Sequence, residues 1–313
     1  MPNYYHTGAT DGTWTNVANW IESDGTAPAA APGTGDSIVF DGRSTGVLTG
    51  SPAGTIRLTK VQIKQSCPTA SYIGTALAPI TAAVDTFIVG EEDGSGSNSS
   101  GCQKICWNFG ASASGYSGTT VKILKTNNTG LDGLEVVQLQ GTHASNKAYI
   151  EGPCLVGFGT SFPGQAYTMS QVNITGSGAR VTLGSGGTVT TIYQNNGSAV
   201  VNCAFTTLEQ TGGSLRTEGT GTLTTANVGG NFISNSGGTI TTLDVENGGF
   251  ADFDQTSVSR TVTNCFVHGT GEISANNGQT LSVTFTNGID VLDGAKTAQV
   301  EFGTNVTVQQ SSL

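Results

Sequence analysis

The residues best suited to chemistry are four carboxylates and one arginine in the C-terminal half of the chain. Asp244 and Glu246 are separated by one residue, as are Asp252 and Asp254, and Arg260 is the nearest cation. Side chains separated in this way on a strand point to one face, so each pair is expected to share an outward face. Such carboxylates would suit glycoside hydrolysis, or Ca²⁺ binding beside an arginine base in a polysaccharide lyase. Alternating acids are equally typical of a solvated strand face, and few aromatic residues lie nearby to stack on sugars. We therefore favour the non-catalytic interpretation.

Other patterns that could hold a metal or cofactor are weaker. The run Glu91–Gly94 lacks the spaced oxygen ligands of a calcium loop and is expected to be an exposed turn. Cys102 and Cys106 supply too few ligands for a metal site, and the three histidines lie far from them in sequence. A disulfide between these two cysteines stays open. Phosphate-binding loops, serine-nucleophile elbows and zinc motifs are missing from the sequence. We predict no catalytic residue, no metal and no cofactor.

Composition excludes several classes of partner. The chain has 313 residues, 46 of them glycine, and only 12 Lys and Arg against 22 Asp and Glu, which gives a net charge of −10. Nucleic-acid binding needs clustered cations, and the sequence has no such cluster. No apolar run is long enough to span a membrane, and no secretory leader opens the sequence. We expect a protein that is folded in a cytoplasm and binds neither nucleic acid nor membrane, with a mature secreted fragment as the alternative to the cytoplasm.

A short internal repeat is the main structural signal. Pairs of threonines at 190–191, 206–207, 224–225 and 241–242 recur at a nearly constant interval of about 17 residues. Each interval holds a short β-branched strand, a Gly/Asn turn, a second short strand and a Thr-rich connection. This length is typical of one coil of a β-solenoid, in which stacked coils pair their backbones about 4.8 Å apart and share an apolar core. Cys203 and Cys265 occupy positions where a small core residue is expected. The sequence predicts an all-β solenoid with coils of about 16–20 residues.

The repeat is regular only in the second half of the chain. Residues 171–313 are predicted to form regular coils, residues 43–170 irregular coils with loop insertions, and residues 1–42 an N-terminal cap or attachment segment. We expect the solenoid to begin near Asp36, with a separate β-rich N-terminal domain of about 165 residues as the alternative. The strands expected in the irregular part are 37–40, 60–63, 87–89, 121–124 and 134–137, with surface loops at 94–101 and 111–118.

The opening segment carries the most specific pattern. Residues 12–20 read GTWTNVANW and residues 31–40 read APGTGDSIVF. This pattern resembles the module that opens many bacterial surface-associated and autotransporter-type β-helices. The resemblance covers about 30 residues and implies a right-handed parallel β-helix with an N-terminal cap. It is nearly silent on function, because one fold supports many functions.

Four aromatic residues of this segment are candidates for partner binding: Tyr4, Tyr5, Trp14 and Trp20. Tryptophan is favoured at the centre of interfaces, so the two indoles would suit anchors in a partner's pocket. They would equally suit a cap over the open apolar end of the solenoid. We favour the cap for the two tryptophans, and both roles are compatible.

Two departures from autotransporters direct the functional expectation. The sequence shows neither a signal peptide nor a C-terminal membrane barrel. It is in this respect more similar to a virion component, such as a tailed-phage decoration (cement) protein or a spike. We therefore predict a structural, non-enzymatic homotrimer that stabilises the lattice of the major capsid protein on the exterior of a phage head and is synthesised in the host cytoplasm. The second hypothesis is a tail fibre or spike adhesin for host glycans, and the third is a polysaccharide lyase or hydrolase.

Overall fold

The fold is built from β-strands in two compact units. The computed structural model describes residues 3–68, 71–91, 104–110, 113–126, 136–160, 165–275, 283–292, 299–302 and 306–308. Within them the one helical element is a 3-10 turn at Val17–Asn19, and no helix there is long and apolar enough to cross a lipid bilayer. One unit comprises Met1–Ser170 and Gly176–Val181, and the other Gln171–Thr175 and Thr182–Leu313.

The strands of the first unit belong to coils that are joined by irregular connections. They are β1 (Asn3–His6), β2 (Trp20–Glu22), β3 (Ser37–Phe40), β4 (Val47–Leu48), β5 (Arg57–Ile63), β6 (Tyr72–Ile73), β7 (Ile80–Thr81), β8 (Ala83–Val89), β9 (Lys104–Asn108), β10 (Thr120–Ile123), β11 (Val137–Gln140), β12 (Lys147–Ile150) and β13 (Cys154–Phe158). Two further strands contain the division between the units, β14 (Tyr167–Ile174) and β15 (Ala179–Leu183).

These strands stack in two parallel ladders. One ladder contains β1, β3, β5, β8, β10 and β12, and the other contains β4, β6, β9, β11 and β13. In the first ladder, the register places in one column Ile38, Val61, Phe87, Val121 and Ala148. The steps along this column are unequal, so coil length in this unit varies over about 23–34 residues. Because β1 already pairs in parallel with β3, the solenoid includes residues before Asp36, where we expected it to begin.

The strands expected from the sequence in this unit are largely present. Residues 37–40 form β3, residues 60–63 and 87–89 lie in β5 and β8, and β10 covers most of 121–124. The strand expected at 134–137 begins at Val137 in the structure, and residues 134 and 135 lie outside the described part of the chain. The loop expected at 94–101 lies outside it as well.

The second unit has the same organisation with shorter coils. Its strands are β16 (Gly187–Gln194), β17 (Ser198–Val201), β18 (Ala204–Gln210), β19 (Ser214–Thr217), β20 (Leu223–Val228), β21 (Asn231–Ser234), β22 (Ile240–Val245), β23 (Phe250–Asp252), β24 (Arg260–His268), β25 (Glu272–Ala275), β26 (Val283–Phe285), β27 (Asp290–Leu292), β28 (Gln299–Phe302) and β29 (Val306–Val308).

Parallel register in this unit confirms the solenoid inferred from the repeat. The even-numbered strands β16 to β26 form one ladder, which ends in β29, and the odd-numbered strands β17 to β25 form the other, which ends in β28. In the first of these ladders, one column contains Thr191, Thr207, Thr225, Thr242 and Asn264. The first three steps of this column lie within the predicted coil length of about 16–20 residues. The fourth step, from Thr242 to Asn264, exceeds it slightly.

Inward side chains form continuous columns through the second unit. Buried residues of successive coils stand in register, as in the column Ile192, Leu208, Ala226, Leu243 and Cys265. A second such column is Val189, Phe205, Leu223, Ile240, Val262 and Phe285. Each buried aliphatic side chain contributes about 1.5–3 kcal/mol, and no coil can bury its own side chains without the next. The expectation that Cys203 and Cys265 are core residues is confirmed.

The threonine pairs mark a bend inside the longer strands. In β16, Val189 and Ile192 are both buried, whereas Thr190 and Thr191 between them are exposed and half-exposed. The simple in–out alternation expected of a flat strand is interrupted there, and two adjacent polar residues occupy the outer side of the bend. From the sequence we expected these pairs in connections between strands. In the structure they lie within β16, β18, β20 and β22.

Glycines make the turns between consecutive strands of a coil. Gly197 and Gly213 follow β16 and β18 and have φ angles of +71° and +78°, which side chains other than glycine's adopt at a cost. A Cβ atom on Gly213 would also lie 2.8 Å from the carbonyl oxygen of Gly197 in the preceding coil. Stacked turns therefore need glycine both for backbone conformation and for close approach.

Two buried glutamines interrupt the apolar core beside these turns. Gln194 and Gln210 occupy the same position in consecutive coils. Gln210 Nε2 donates to Gln194 Oε1 at 3.1 Å and to the carbonyl oxygen of Asn231 at 3.1 Å. Gln194 Nε2 donates to the carbonyl oxygen of Ser214 at 3.0 Å. The glutamines thus tie the ends of the long strands to the following turns.

Candidate functional site

The two tryptophans of the N-terminal motif lie in the core of the first unit. Trp14 and Trp20 are each 1% exposed. The Trp14 indole donates to the carbonyl oxygen of Pro32 at 3.2 Å, and the Trp20 indole donates to the carbonyl oxygen of Trp14 at 2.8 Å. Both rings therefore have their polar groups satisfied inside the unit. Neither indole therefore offers surface to a partner.

An aromatic cluster surrounds the tryptophans. The ring centroids of Trp14 and Trp20 are 5.2 Å apart, and those of Trp14 and Trp107 are 6.2 Å apart. His6 contacts both Trp20 and Phe40 at 5.3 Å. Edge-to-face and tilted pairs at these distances add about 0.5–1.5 kcal/mol each to the burial of the rings. The cluster thus joins the opening segment to the strands β3 and β9.

His6 is an unusual member of this cluster, because neither of its ring nitrogens has a hydrogen-bond partner. The side chain is 1% exposed. Desolvation lowers the pKa of His6 from 6.5 to about 4, since a charged imidazole would be buried among aromatic rings. The histidine is therefore neutral at ordinary pH and acts as part of the core.

The Asn19 side chain of the motif organises the loop that carries the tryptophans. Its amide donates to Asp11 Oδ1 at 3.0 Å and to the carbonyl oxygen of Thr13 at 2.9 Å. Its oxygen accepts from the backbone N–H of Thr10 at 3.1 Å. The pKa of Asp11 is held well below its usual range, first by the backbone N–H of Thr13 and then by the amides of Asn16 and Asn19. The asparagine and the carboxylate have structural roles in this loop.

Tyr4 and Tyr5 differ in what they present. Tyr4 is buried and Tyr5 is half-buried on the opposite face of β1. The Arg43 guanidinium lies 3.6 Å from the centre of the Tyr5 ring, and its Nη2 is 2.5 Å from Asp41 Oδ2. Asp41 raises the pKa of Arg43 through this hydrogen bond, although burial acts the other way. Of the four predicted partner-binding residues, Tyr5 is the one with an accessible ring, and it forms a surface patch with Arg43.

The two acidic pairs of the second unit have different surroundings. Asp252 ends β23 and is buried, where its oxygens accept from the backbone N–H of Asp254 at 2.7 Å and from Gln255 Nε2 at 2.8 Å. Asp254 lies beyond the strand and binds the hydroxyl of Ser274. The expectation that Asp252 and Asp254 share an outward strand face is therefore wrong, because Asp252 is buried and Asp254 lies beyond the strand. Asp252 instead caps a turn.

Arg260 is not placed as an exposed base. It is 3% exposed, and its Nε and Nη2 donate to the carbonyl oxygens of Val258 and Thr256 at 3.0 and 2.8 Å. Burial lowers the pKa of Arg260, while Asp252 and Asp254 act in the opposite direction. Nη1 has no hydrogen-bond partner. The guanidinium thus holds the backbone of the segment that precedes β24.

The other acidic pair meets a histidine that we did not connect with it from the sequence. Asp244 and Glu246 lie on one side of β22 and its end, and His268 ends the neighbouring strand β24. His268 Nε2 is 2.9 Å from Asp244 Oδ1, and the donor atoms of all three residues lie within 4.8 Å of one another. This is the one group of three potential metal ligands in the described residues. The coil length could have indicated this group from the sequence. Glu246 and His268 are as far apart along the chain as Thr242 and Asn264, which pair in the ladder.

Within the part of the chain that the structure describes, the remaining sequence candidates give no assembled site. Lys64 Nζ lies 3.9 Å from Glu91 Oε2, and the rest of the run 91–94 lies outside the described residues. Cys106 is a buried free thiol, and burial raises its pKa to about 11. Cys102, its possible disulfide partner, lies outside the described residues. A cavity of about 270 Å³ in the first unit is lined by Ile56, Phe109 and neighbouring small residues, without a titratable side chain.

Comparison of the chain with protein-family models, with curated proteins and with solved structures gave no match.

Proposed function

We propose that this protein is a structural component of a phage particle, a homotrimeric decoration protein that stabilises the lattice of the major capsid protein on the head exterior. The resemblance of residues 12–20 and 31–40 to the opening module of β-helical surface proteins supports a β-helix with an N-terminal cap. The proposed role is mechanical. Repeated weak contacts, multiplied by the valency of a trimer, would hold neighbouring capsid subunits together.

The observation that carries the proposal is an uncharged strip of threonines on the outer surface of the second unit. At the bend of successive strands the exposed residues are Thr190, Thr206, Thr224 and Thr241. Beside them stands the half-exposed column Thr191, Thr207, Thr225, Thr242 and Asn264. The cores of protein interfaces are depleted in charge, and a symmetric oligomer brings identical surfaces together. A long row of neutral hydroxyl groups suits this kind of contact.

The attachment point proposed for the capsid is the patch formed by Tyr5 and Arg43. Tyrosine and arginine are enriched at the energetic centres of interfaces. The arginine is already oriented by Asp41 and lies over the tyrosine ring, so little side-chain freedom remains to be lost on binding. The buried Trp14 and Trp20 would support this patch from inside the unit.

The test is rebinding to capsids of the phage that encodes the chain, after the accessory proteins have been stripped away. Deletion of residues 1–42 would remove Trp14 and Trp20 from the core, so a point substitution is the sharper variant. We expect wild type to sediment as a trimer and to bind capsids, and Tyr5→Ala to weaken binding by about tenfold or more. Tyr193→Ala is the matched control, since Tyr193 is an exposed tyrosine of the second unit.

Three outcomes would count against the proposal in different ways. A monomer that does not bind capsids would refute it and would direct work to host glycans, in line with the adhesin hypothesis. If Tyr5→Ala and Tyr193→Ala bind capsids equally strongly, the patch of Tyr5 and Arg43 is not the attachment point. Release of products from a polysaccharide would establish an enzyme instead.

A further inference from the structure

Coil stacking creates a mixed carboxylate and imidazole cluster on the outer face of the second unit. Asp244 lies in β22 and Glu246 directly follows its last residue, and the two carboxylates lie on the same side of this coil. The register pairs Val245 with Val267, so Glu246 and His268 follow in equivalent positions of adjacent coils. The three donor groups come within 4.8 Å of one another. Two of them belong to one coil and the third to the next.

The contact between Asp244 and His268 is close but is not a hydrogen bond. Asp244 Oδ1 is 2.9 Å from His268 Nε2 and is screened from solvent, and yet it accepts no hydrogen bond. The ring N–H direction is therefore not aligned with this oxygen. Two donor atoms that bind one Zn²⁺ in tetrahedral geometry at about 2.0–2.1 Å each are separated by about 3.3 Å. The observed separation suits two ligands that point at a common third position.

Charge at this face also favours a cation. Asp290 lies in the same outward column as Asp244, two coils further on. The lysines and arginines among the described residues of the second unit are Arg216, which pairs with Glu218, and the buried Arg260. Neither neutralises the cluster.

We propose that Asp244, Glu246 and His268 form a binding site for a divalent transition-metal cation, with Zn²⁺ as the expected ion. Imidazole together with carboxylates favours zinc over Mg²⁺ or Ca²⁺, which prefer ligand sets of oxygen alone. Three protein ligands leave a coordination position for water. The ion would link the coil of β22 to the coil of β24 and stabilise their stacking. No metal was predicted from the sequence, and the inference does not depend on the proposed function.

The experiment is Zn²⁺ titration of the full chain after treatment with a chelator, followed by calorimetry. We expect one Zn²⁺ per chain, a rise in the melting temperature with Zn²⁺, and weaker or undetectable binding of Ca²⁺ and Mg²⁺. His268→Gln and Asp244→Asn should each weaken binding by about tenfold or more, since each removes a ligand while retaining much of the side-chain shape. Co²⁺ should give the visible absorption bands of a low-symmetry site.

The matched control is Asp290→Asn, which removes one negative charge from the same face without touching the cluster. Equal loss of affinity in Asp290→Asn and Asp244→Asn would show that charge alone attracts the ion and would overturn the site. Absence of Zn²⁺ binding to folded wild type would overturn it as well. If a ligand variant fails to fold, X-ray absorption of the Zn²⁺-loaded wild type decides the matter. One imidazole in the coordination shell supports the site, and a shell without nitrogen overturns it.

Discussion

His6 should make the first unit sensitive to acid. The imidazole is buried between Trp20 and Phe40, and its pKa is about 4 in the folded protein, against 6.5 for an ordinary histidine. Above pH 6.5 the ring is neutral in both the folded and the unfolded chain, so its effect on stability does not change. As the pH falls from 6.5 to 4, the unfolded chain binds a proton that the folded chain does not. Folding is weakened throughout that interval.

The magnitude follows from the two pKa values. Each pH unit between them costs about 1.4 kcal/mol of folding free energy, so the whole interval costs about 3 kcal/mol. Below pH 4 the folded form is protonated too, and the histidine adds no further loss. The pKa of Asp11 is lowered in the folded protein, so this carboxylate stabilises the fold at pH values above the ordinary carboxyl pKa. That stabilisation is lost as the pH falls below it. Its effect is therefore separate from that of His6.

The assay is urea unfolding at a series of pH values, followed by tryptophan fluorescence. All three tryptophans lie in the first unit, so the signal reports its unfolding. His6→Phe replaces the imidazole with a ring that cannot be protonated, and it should remove about 3 kcal/mol of the stability difference between about pH 7 and about pH 4. The change of stability with pH is compared, so a constant packing cost of the larger ring does not matter. The control is His143→Gln. If the stability of His6→Phe falls between about pH 7 and about pH 4 as much as that of the control and of wild type, His6 is not the source of the acid sensitivity.

Three further predictions concern stability. Trp20→Ala should destabilise the first unit by about 3–5 kcal/mol, because it leaves a cavity in the aromatic cluster, and urea unfolding measures the loss. Gly213→Ala should cost the second unit about 1–3 kcal/mol, because its φ angle is +78° and a Cβ would contact the preceding turn. Circular dichroism measures this melting, with Gly248→Ala as a control that has the same backbone strain and open space. Gln210→Met should cost about 1–3 kcal/mol, since it leaves the carbonyl oxygen of Asn231 and the side chain of Gln194 without a donor. A melting temperature equal to that of wild type would contradict it.

Much of the fold could be predicted from the sequence because a solenoid is a local, repeated pattern. The threonine pairs gave the coil length, and the alternation of apolar residues gave the inward faces. Two features of the structure differ from what the sequence predicted, and each difference has a physical reason. The threonine pairs lie within bent strands, where two successive residues face outward. The opening segment is already part of a parallel ladder, which its own sequence does not reveal because the pairing partner is β3.

The all-β class, the approximate coil length of the second unit and the core positions of Cys203 and Cys265 follow from the amino-acid pattern. Which polar residues meet depends on how the coils stack. The sequence suggested that Asp252 and Asp254 share a strand face, but Asp252 ends its strand and Asp254 lies beyond it. His268, by contrast, lies beside Asp244 of the adjacent coil. The physical reason is that stacking brings together residues one coil apart, and the coil from Thr191 to Thr207 is less than half as long as the coil from Phe87 to Val121. Spacing along the chain cannot show such neighbours until the register of the strands is known.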